Sequence, residues 1–442
     1  MANNTVFGAN SAIHGTEGMV NANTGITTDY HNGGLSAEMK TFYDKTLIEL
    51  ATPNLVHMQF GQKRPIPPHG GKTVEFRKMK PLAKNTKVIT EGVTPAGTKM
   101  VAVPLTATLN QYGDYIEQTD LIELTAIDNT VIEATKLLAD QAGRTLDTVV
   151  RDVLQTGTNV NYCSAIVDGE PRTVVSRAGL DSTAKLRVVD VFKAAAQLKA
   201  VNAPTIDGKY VAIIHPHVAF DLMQEAGDAW IDIKKYAEPE KILNGELGCI
   251  GGVRFVESSE AKINCADEVT PGIKTISVNY FSFNSAFEPQ WGDNTGYEIG
   301  IDVTPTEDML GKKMICHNFR TNVDTPFTVM GVCPNENSLY IDVELPNETE
   351  VGDIAFCEGG GRLGCATYST IFLGADAYGI IDINGSGTVE HIVKQRGYGN
   401  DPLNQRSSIG WKAFMTAAIL ADEYILRVES GSSFSGTVTS SN

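Results

Sequence analysis

Two glycine strings and one histidine pair are the places in this chain of 442 residues where residue type and spacing invite chemistry. Gly359-Gly360-Gly361-Arg362-Leu363-Gly364 fits the Gly-x-Gly-x-x-Gly pattern of dinucleotide sites. That pattern works only where a helix begins at the glycines, because the helix N-terminus must meet the pyrophosphate. The residues that follow, Thr367 to Leu373, are β-branched and aromatic, so a flexible turn leading into a strand is expected instead. Gly70-Gly71-Lys72-Thr73 resembles the end of a phosphate-binding loop, but that loop requires glycine five residues before Gly71, where Ile66 stands. Lys72 is therefore assigned to the basic segment around it. His215-Pro216-His217 sets two imidazoles one residue apart with no third ligand near in sequence, and a polar turn at a strand-to-helix junction accounts for it. Neither a Gly-x-Ser-x-Gly elbow nor a His-Glu-x-x-His helix occurs. The sequence thus points to no catalytic residue, no cofactor and no metal, and a non-enzymatic protein is expected.

The bulk properties bound the class. Hydrophobic residues at 42% and charged residues at 20% are ordinary globular values, which excludes a disordered chain. The length suffices for two or three cores. No run reaches the ~18 apolar residues of a membrane helix, and the first thirty residues lack a basic start and an apolar centre, so neither a signal peptide nor a membrane span is expected. Cysteines at 163, 249, 265, 316, 333, 357 and 365 show no Cys-x-x-Cys spacing and read as reduced thiols of a protein made in the cytoplasm. The net charge of −17 opposes a grip on nucleic acid. It is spread unevenly: residues 62–100 carry nine basic and two acidic side chains, a net of +7, which leaves −24 on the rest.

Elements that would position these residues follow in order. Residues 1–35 contain no Lys or Arg, are rich in Asn, Gly and Thr, and read as an extended arm. In 36–61, Met39, Phe42, Tyr43, Leu47 and Leu50 recur at spacings of three and four behind a Ser36 cap, predicting a short helix that stops near Pro53. Residues 62–112 read as two alternating strands with a long turn, an extended basic hairpin. Within 113–186 a helix of some 28 residues opens at Asp128 and ends at Gly157, its stripe formed by Val131, Leu138, Ala142, Leu146, Val149 and Val153. An α/β segment occupies 187–264, with helices at 188–201 and 216–225 and strands at 210–214 and 253–256. Residues 265–366 hold five cysteines and many turn residues between short β-like runs, predicting a β-rich inserted domain of about 100 residues. Runs at 367–383 and 412–428, inside a segment 367–430, are expected to finish the α/β sheet. The Ser, Gly and Thr-rich residues 431–442 read as a flexible tail.

Several strings are similar to the major capsid proteins of tailed bacteriophages, in particular those of N4-like podoviruses. They are Leu35-Ser36-Ala37-Glu38-Met39-Lys40-Thr41-Phe42-Tyr43-Asp44, Pro65 to Arg77, Tyr112-Gly113-Asp114-Tyr115, Leu146 to Leu154, Ile213-Ile214-His215-Pro216, Gly251 to Glu257, and Asp401 to Arg406 with Gly410-Trp411-Lys412. The resemblance covers roughly 35–263 and 367–430. It implies an α+β chain with the Hong Kong 97-type phage capsid fold: an N-terminal arm, an extended hairpin loop, a peripheral domain with a long spine helix (113–186) and an axial α/β domain (187–264 and 367–430). The β-rich insertion at 265–366 is longer than the connection expected in relatives.

The expected function is that of a shell subunit. It assembles with copies of itself into hexamers and pentamers of an icosahedral shell, enclosing DNA without sequence-specific contact and without a membrane. Portal, scaffolding and decoration proteins are expected partners, and assembly takes place in the host bacterial cytoplasm. Lys63, Arg64, Lys72, Arg77, Lys78, Lys80, Lys84 and Lys87 are the candidate intersubunit contacts, laid on an acidic neighbour. The alternatives are an encapsulin-like compartment, a nucleotide-binding enzyme using the inserted domain, and a glycan-recognition role for that insertion.

Overall fold

The computed structural model describes residues 19–20, 27–28, 56–66, 71–79, 82, 84–86, 88, 91–92, 97–120, 130–167, 169–227, 231–232, 245–269, 273–282, 297–346, 349–383, 389–394, 403, 405–438 and 440–442. Most of the expected N-terminal arm and the expected helix of 36–53 lie outside these residues. In chain order, β1 (Met19–Val20) pairs with β2 (Thr27–Thr28); then come β3 (Gln62–Ile66), β4 (Thr73–Met79), β5 (Ala102–Thr108), β6 (Asn110–Thr119) and helix α1 (Thr130–Gln155). Three short strands, β7 (Val160–Tyr162), β8 (Ala165–Val167) and β9 (Glu170–Arg172), precede α2 (Val188–Ala200), β10 (Tyr210–Ile214) and α3 (Pro216–Ala226). After β11 (Ile231–Asp232), β12 (Glu246–Ile250), β13 (Val253–Glu257) and β14 (Ile263–Asn264), six strands follow. These are β15 (Thr275–Ser282), β16 (Tyr297–Ile301), β17 (Lys313–Asn318), β18 (Val323–Cys333), β19 (Ser338–Ile341) and β20 (Ile354–Cys357). The last are β21 (Thr367–Leu373), β22 (Tyr378–Ile383), β23 (Val389–Lys394), β24 (Arg406–Ile419) and β25 (Ile425–Ser430). The chain divides into two compact units, 1–150 with 379–420 and 151–378 with 421–442.

In the first unit, β23, β24, β22 and β3 form a sheet in that order, with β6 on β24 through a register that runs from Arg406↔Thr119 to Met415↔Asn110. The helix α1 is 26 residues, or roughly 39 Å at ~1.5 Å per residue. Its buried line is Ala134, Leu138, Ala142, Leu146, Val150 and Leu154. The expected stripe holds at Leu138, Ala142 and Leu146 and then moves by one position, because Asp147 and Arg151 also lie on the buried side. Asp147 is accommodated there by His57: its two carboxylate oxygens accept the His57 backbone N–H at 2.7 Å and meet ring Nδ1 at 2.6 Å, with both side chains fully buried. Gln141 ties the helix to the sheet, donating to Asp114 at 2.6 Å and accepting from the Trp411 indole N–H at 3.2 Å.

The second unit holds the α/β sheet, ordered β11-β12-β13-β10-β21-β25-β7 with β14 on β21. The strand β10, Tyr-Val-Ala-Ile-Ile, is buried at every position, as a strand covered on both faces requires. Helices α2 and α3 cover one face through Val191, Ala194, Leu198, Val218 and Leu222 against Tyr210, Ala212, Ile214 and Phe255. On the opposite face the charges are paired in place: Arg254 chelates Glu246 at 2.9 and 2.6 Å, and Arg177 chelates Glu429 at 2.7 and 2.5 Å. Residues 275–357 form a closed barrel, β15-β16-β19-β18-β17-β20, around Ile276, Val278, Ile299, Met314, Phe327, Val329, Leu339 and Ile341.

Two expectations are corrected. The runs at 367–383 and 412–428 do not finish one sheet: β21 and β25 join the α/β sheet, whereas β22 and β24 pair within the first unit, because each strand goes where its ladder partner lies. The residues after Ser430 are not a flexible tail. Ser432 and Ser435 are fully buried or nearly so, the Ser432 and Ser433 hydroxyls donate to Asp221 at 2.7 and 2.8 Å, and the Asn442 amide bonds Ile263 N–H and the Ala261 carbonyl at 2.9 Å each.

The substitution Asp147→Ala removes the partner of the buried His57 ring and the acceptor of its backbone N–H, and is expected to lower the stability of the first unit by about 2–5 kcal/mol. Urea unfolding of the purified chain measures it, and a change below ~1 kcal/mol would show that the pair does not hold α1 in place.

Candidate functional site

The hairpin β4–β5 is antiparallel, from Thr73↔Thr108 to Met79↔Ala102. Alternation sends Val74, Phe76, Leu105 and Ala107 to one face, where they pack with Leu109, Ile381, Phe414 and Leu420. Phe76 is the anchor, 2% exposed and facing Gly379, whose missing side chain makes room for the ring. The Arg64 guanidinium stands 5.4 Å from the centre of the same ring. The base of the hairpin is fixed in this way. Beyond Met79 and Ala102 the described residues expose apolar side chains: Leu82, Val88, Met100 and Val101 are all at least half exposed.

The expected contact residues are distributed over two elements rather than one. Lys63 and Arg64 belong to β3, which pairs in parallel with β22, so they stand in the sheet and not in the hairpin; strand pairing claims them. Lys72 is exposed at the hairpin base, where its carbonyl accepts the Leu109 N–H at 2.9 Å. Arg77 is exposed and lies 3.3 Å from Glu75. Lys78 stands opposite Val103 in the ladder, and Lys84 is exposed. Lys80 and Lys87 lie outside the described residues. The exposed Leu82, Val88, Met100 and Val101 were hidden from a reading that weighted charge. Their signal was apolar residues in a long connection with no periodicity to bury them.

The glycine string sits where the chain leaves the barrel, and no nucleotide site is formed. Gly361 lies against the Leu180 carbonyl with no space for a Cβ, and a Cβ on Gly360 would stand 2.5 Å from the Ala266 nitrogen. Only a short 3-10 turn, Arg362–Gly364, follows before β21. The string is therefore a close backbone crossing and not the expected flexible turn: the glycines let the outgoing segment pass beside the incoming one. Arg362 reaches back to the barrel, its Nη2 2.5 Å from His317 Nε2 and 3.0 Å from Asn322 Oδ1, while His317 Nδ1 lies 2.7 Å from Asp324. A cleft of about 720 Å³ beside this junction is lined by Tyr162, Arg177, Lys312, Lys313, Asp324 and Glu358, among others. Arg177 is held by Glu429 and Lys312 by the Glu268 carbonyl at 2.7 Å, which leaves the cleft without a convergent ligand set. Among the described residues no group of His, Cys, Asp and Glu could hold a metal ion.

The His215-Pro216-His217 turn begins α3, with Pro216 as its first residue and the His217 N–H donating to His215 Nδ1 at 3.2 Å. Tyr368 Oη lies 2.8 Å from His217 Nδ1, and the Phe434 ring stacks on His217 at 4.5 Å. Burial, with His217 beside it, pushes His215 down to about 4, and burial pushes Tyr368 up to about 12. All seven cysteines are free. Burial raises the thiols of Cys163, Cys265, Cys357 and Cys365, and brings Cys316, in the barrel core, to about 12.

No family model matches the chain, and no curated protein matches it. Solved structures do. The capsid of Ralstonia phage GP4 superposes with a TM-score of 0.53 at 11% identity, over 84% of this chain and 87% of that one. The capsid of Cyanophage P-SCSP1u gives 0.45 at 11%, over 84% and 86%, and the Cyanophage Pam1 capsid gives 0.44 at 11%, over 85% and 89%. The GP4 comparison establishes the fold: the chain has the α+β Hong Kong 97-type architecture of tailed-phage capsids, with a β-rich insertion.

His215 generates a pH dependence. Its folded value of about 4 lies below the ordinary 6.5, so its contribution is complete above pH 6.5 and is lost as pH falls toward 4, where the unfolded chain binds a proton that the folded one rejects. The expected loss across that window is up to about 3 kcal/mol. Urea unfolding at a series of pH values should show a shallower slope for His215→Asn, which keeps an N-cap acceptor; an unchanged slope would assign the acid sensitivity elsewhere.

Proposed function

We propose that this chain is the major capsid protein of a tailed double-stranded DNA bacteriophage, assembling with itself into the icosahedral shell that encloses the genome. The observation that carries the reading is a hairpin anchored by Phe76 at its base and exposing Leu82, Val88, Met100 and Val101 beyond it, on a chain with the architecture of phage capsids. A two-stranded hairpin with exposed apolar groups is marginal in water and gains its stability on a neighbouring subunit.

Magnitudes assign the roles. Full burial of a side chain such as Leu, Val or Met contributes ~1.5–3 kcal/mol before the cost of ordering the contact, whereas an exposed ion pair contributes ~0–1 kcal/mol. The apolar residues therefore supply most of the affinity. Arg77, Lys78, Lys80, Lys84 and Lys87, drawn to the acidic remainder of another copy, steer encounter and register. Repetition of a modest contact over many subunits yields a durable particle. The net charge of −17 suits a container that releases DNA without gripping it.

On this reading the protein is structural and not an enzyme, resides in the virion, and assembles in the host cytoplasm from hexamers and pentamers with portal, scaffolding and decoration proteins as partners. The resemblance of strings such as Gly251 to Glu257 to those of N4-like podoviruses is what favours that subfamily. A compartment for protein cargo, the encapsulin-like alternative, has less support.

Electron micrographs of the purified chain should show closed icosahedral shells, and particles from infected cells should contain DNA; protein cargo in place of DNA would favour the alternative. Replacing Arg77, Lys78 and Lys80 with Glu is expected to abolish particles while circular dichroism reports a folded subunit. Normal shells from that triple variant would remove the hairpin charges from assembly.

A further inference from the structure

We propose that one end of the inserted barrel is a self-complementary contact surface for a second copy of this chain. The surface is made by the turn between β17 and β18 and by the loop before β20. It exposes three apolar side chains, Phe319 at 50%, Val323 at 50% and Val351 at 72%. Arg320 and Glu350 lie among them, paired at 2.7 Å and both more than half exposed.

The two loops form one rigid surface. The buried Asp353 carboxylate accepts from Asn318 Nδ2 at 3.0 Å, the Phe319 N–H at 3.1 Å and the Glu350 N–H at 2.8 Å, so a single side chain locks both loops. Asn318 Oδ1 in turn accepts the Arg320 and Thr321 N–H groups at 2.9 and 2.8 Å. The Phe319 ring meets His317 edge-on at 4.9 Å. From outside the barrel, Arg172 and Arg362 bond Asn322 at 3.3 and 3.0 Å. An exposed aromatic on a surface already ordered loses little freedom on binding, which is the character of an interaction hot spot.

Charge selects the occupant. On a chain of net −17, two copies repel almost wherever they meet. Among the described residues, this patch carries Arg320 and Glu350 beside its apolar centre, with Arg172 and the half-buried Asp324 at its edge, so positive and negative groups balance and the patch is its own complement. A two-fold contact sets Arg320 of each copy against Glu350 of the other and closes Phe319 and Val351 between them. The contact rests on the shell reading for its multiplicity and adds to it a role for the insertion, as a clasp between subunits.

Arg320→Glu makes the patch doubly acidic and Glu350→Arg makes it doubly basic. Each variant alone is expected to raise the dissociated subunit in mild urea by about tenfold, a change of ~1.4 kcal/mol. Co-expression of the two should return particles to wild-type resistance, because unlike patches then meet; a role confined to one chain cannot be restored in trans. The variant Val351→Cys, oxidised with glutathione disulfide, should give a disulfide-linked dimer on a denaturing gel. Particles equally resistant in both single variants and their mixture, with no dimer, overturn the contact and leave the shell reading standing. Absence of particles of the wild-type chain both alone and in infected cells removes the shell reading instead. The V351C dimer then decides on the soluble chain: its presence keeps the contact, and a monomer, or a cross-link to a different protein, overturns it.

Discussion

The ladder between β6 and β24 joins residues near 115 to residues near 411, and Gln141 bridges Asp114 and Trp411, the latter 270 positions away from it in sequence. The first unit rests on this closure, since among the described residues β6 pairs with β24 alone, and the apolar face of the hairpin packs on Phe414 and Leu420 from β24 and the residue after it. The second unit has the same dependence: β10 is covered on one side by β13 and on the other by β21, which itself needs β25. Both sheets therefore wait for residues 367–430. Such non-local pairing makes folding slow, because loop closure must precede the contacts that reward it.

The barrel obeys a different constraint. A domain inserted into a sheet must leave and return at nearly the same point, and here the return is made beside Cys265 and Ala266 by glycines that no other residue could replace. Closure of the six strands on themselves leaves no unpaired edge, so the insertion adds surface without adding a strand that could recruit foreign chains. Next to the α/β sheet Arg362 reaches His317 and Asn322 of the barrel, and His317 in turn contacts Asp324.

Much of this was legible in sequence, and the limits are physical. Tyr210–Ile214 and Pro216 read correctly because five apolar residues followed by a proline at the first helical turn have few other solutions. The helix α1 was clear from its spacing, but Asp147 and Arg151 were not seen as buried; a polar side chain inside a protein is defined by its partner, and neither His57 nor the Glu260 carbonyl can be found from periodicity. The runs at 367–383 and 412–428 read as strands of one sheet, but each holds parts of two, since register with a distant partner decides where a strand goes. Glycine and serine misled twice, at 359–364 and 431–442. Composition associates them with mobility, whereas Gly361 and Gly431 are small because a carbonyl, of Leu180 or Asp181, occupies the space of a side chain. At the hairpin the charges were evident and the exposed apolar groups were not, because exposure is a property of the fold.

The thiols carry a consequence for the life of a particle. A cysteine reacts as its thiolate, and in five of the seven the surrounding protein suppresses that form, most strongly in the cores. In a particle built from this chain, those five thiols would resist oxidation on passing into an oxygenated medium, so the packing around them would outlast the change of surroundings.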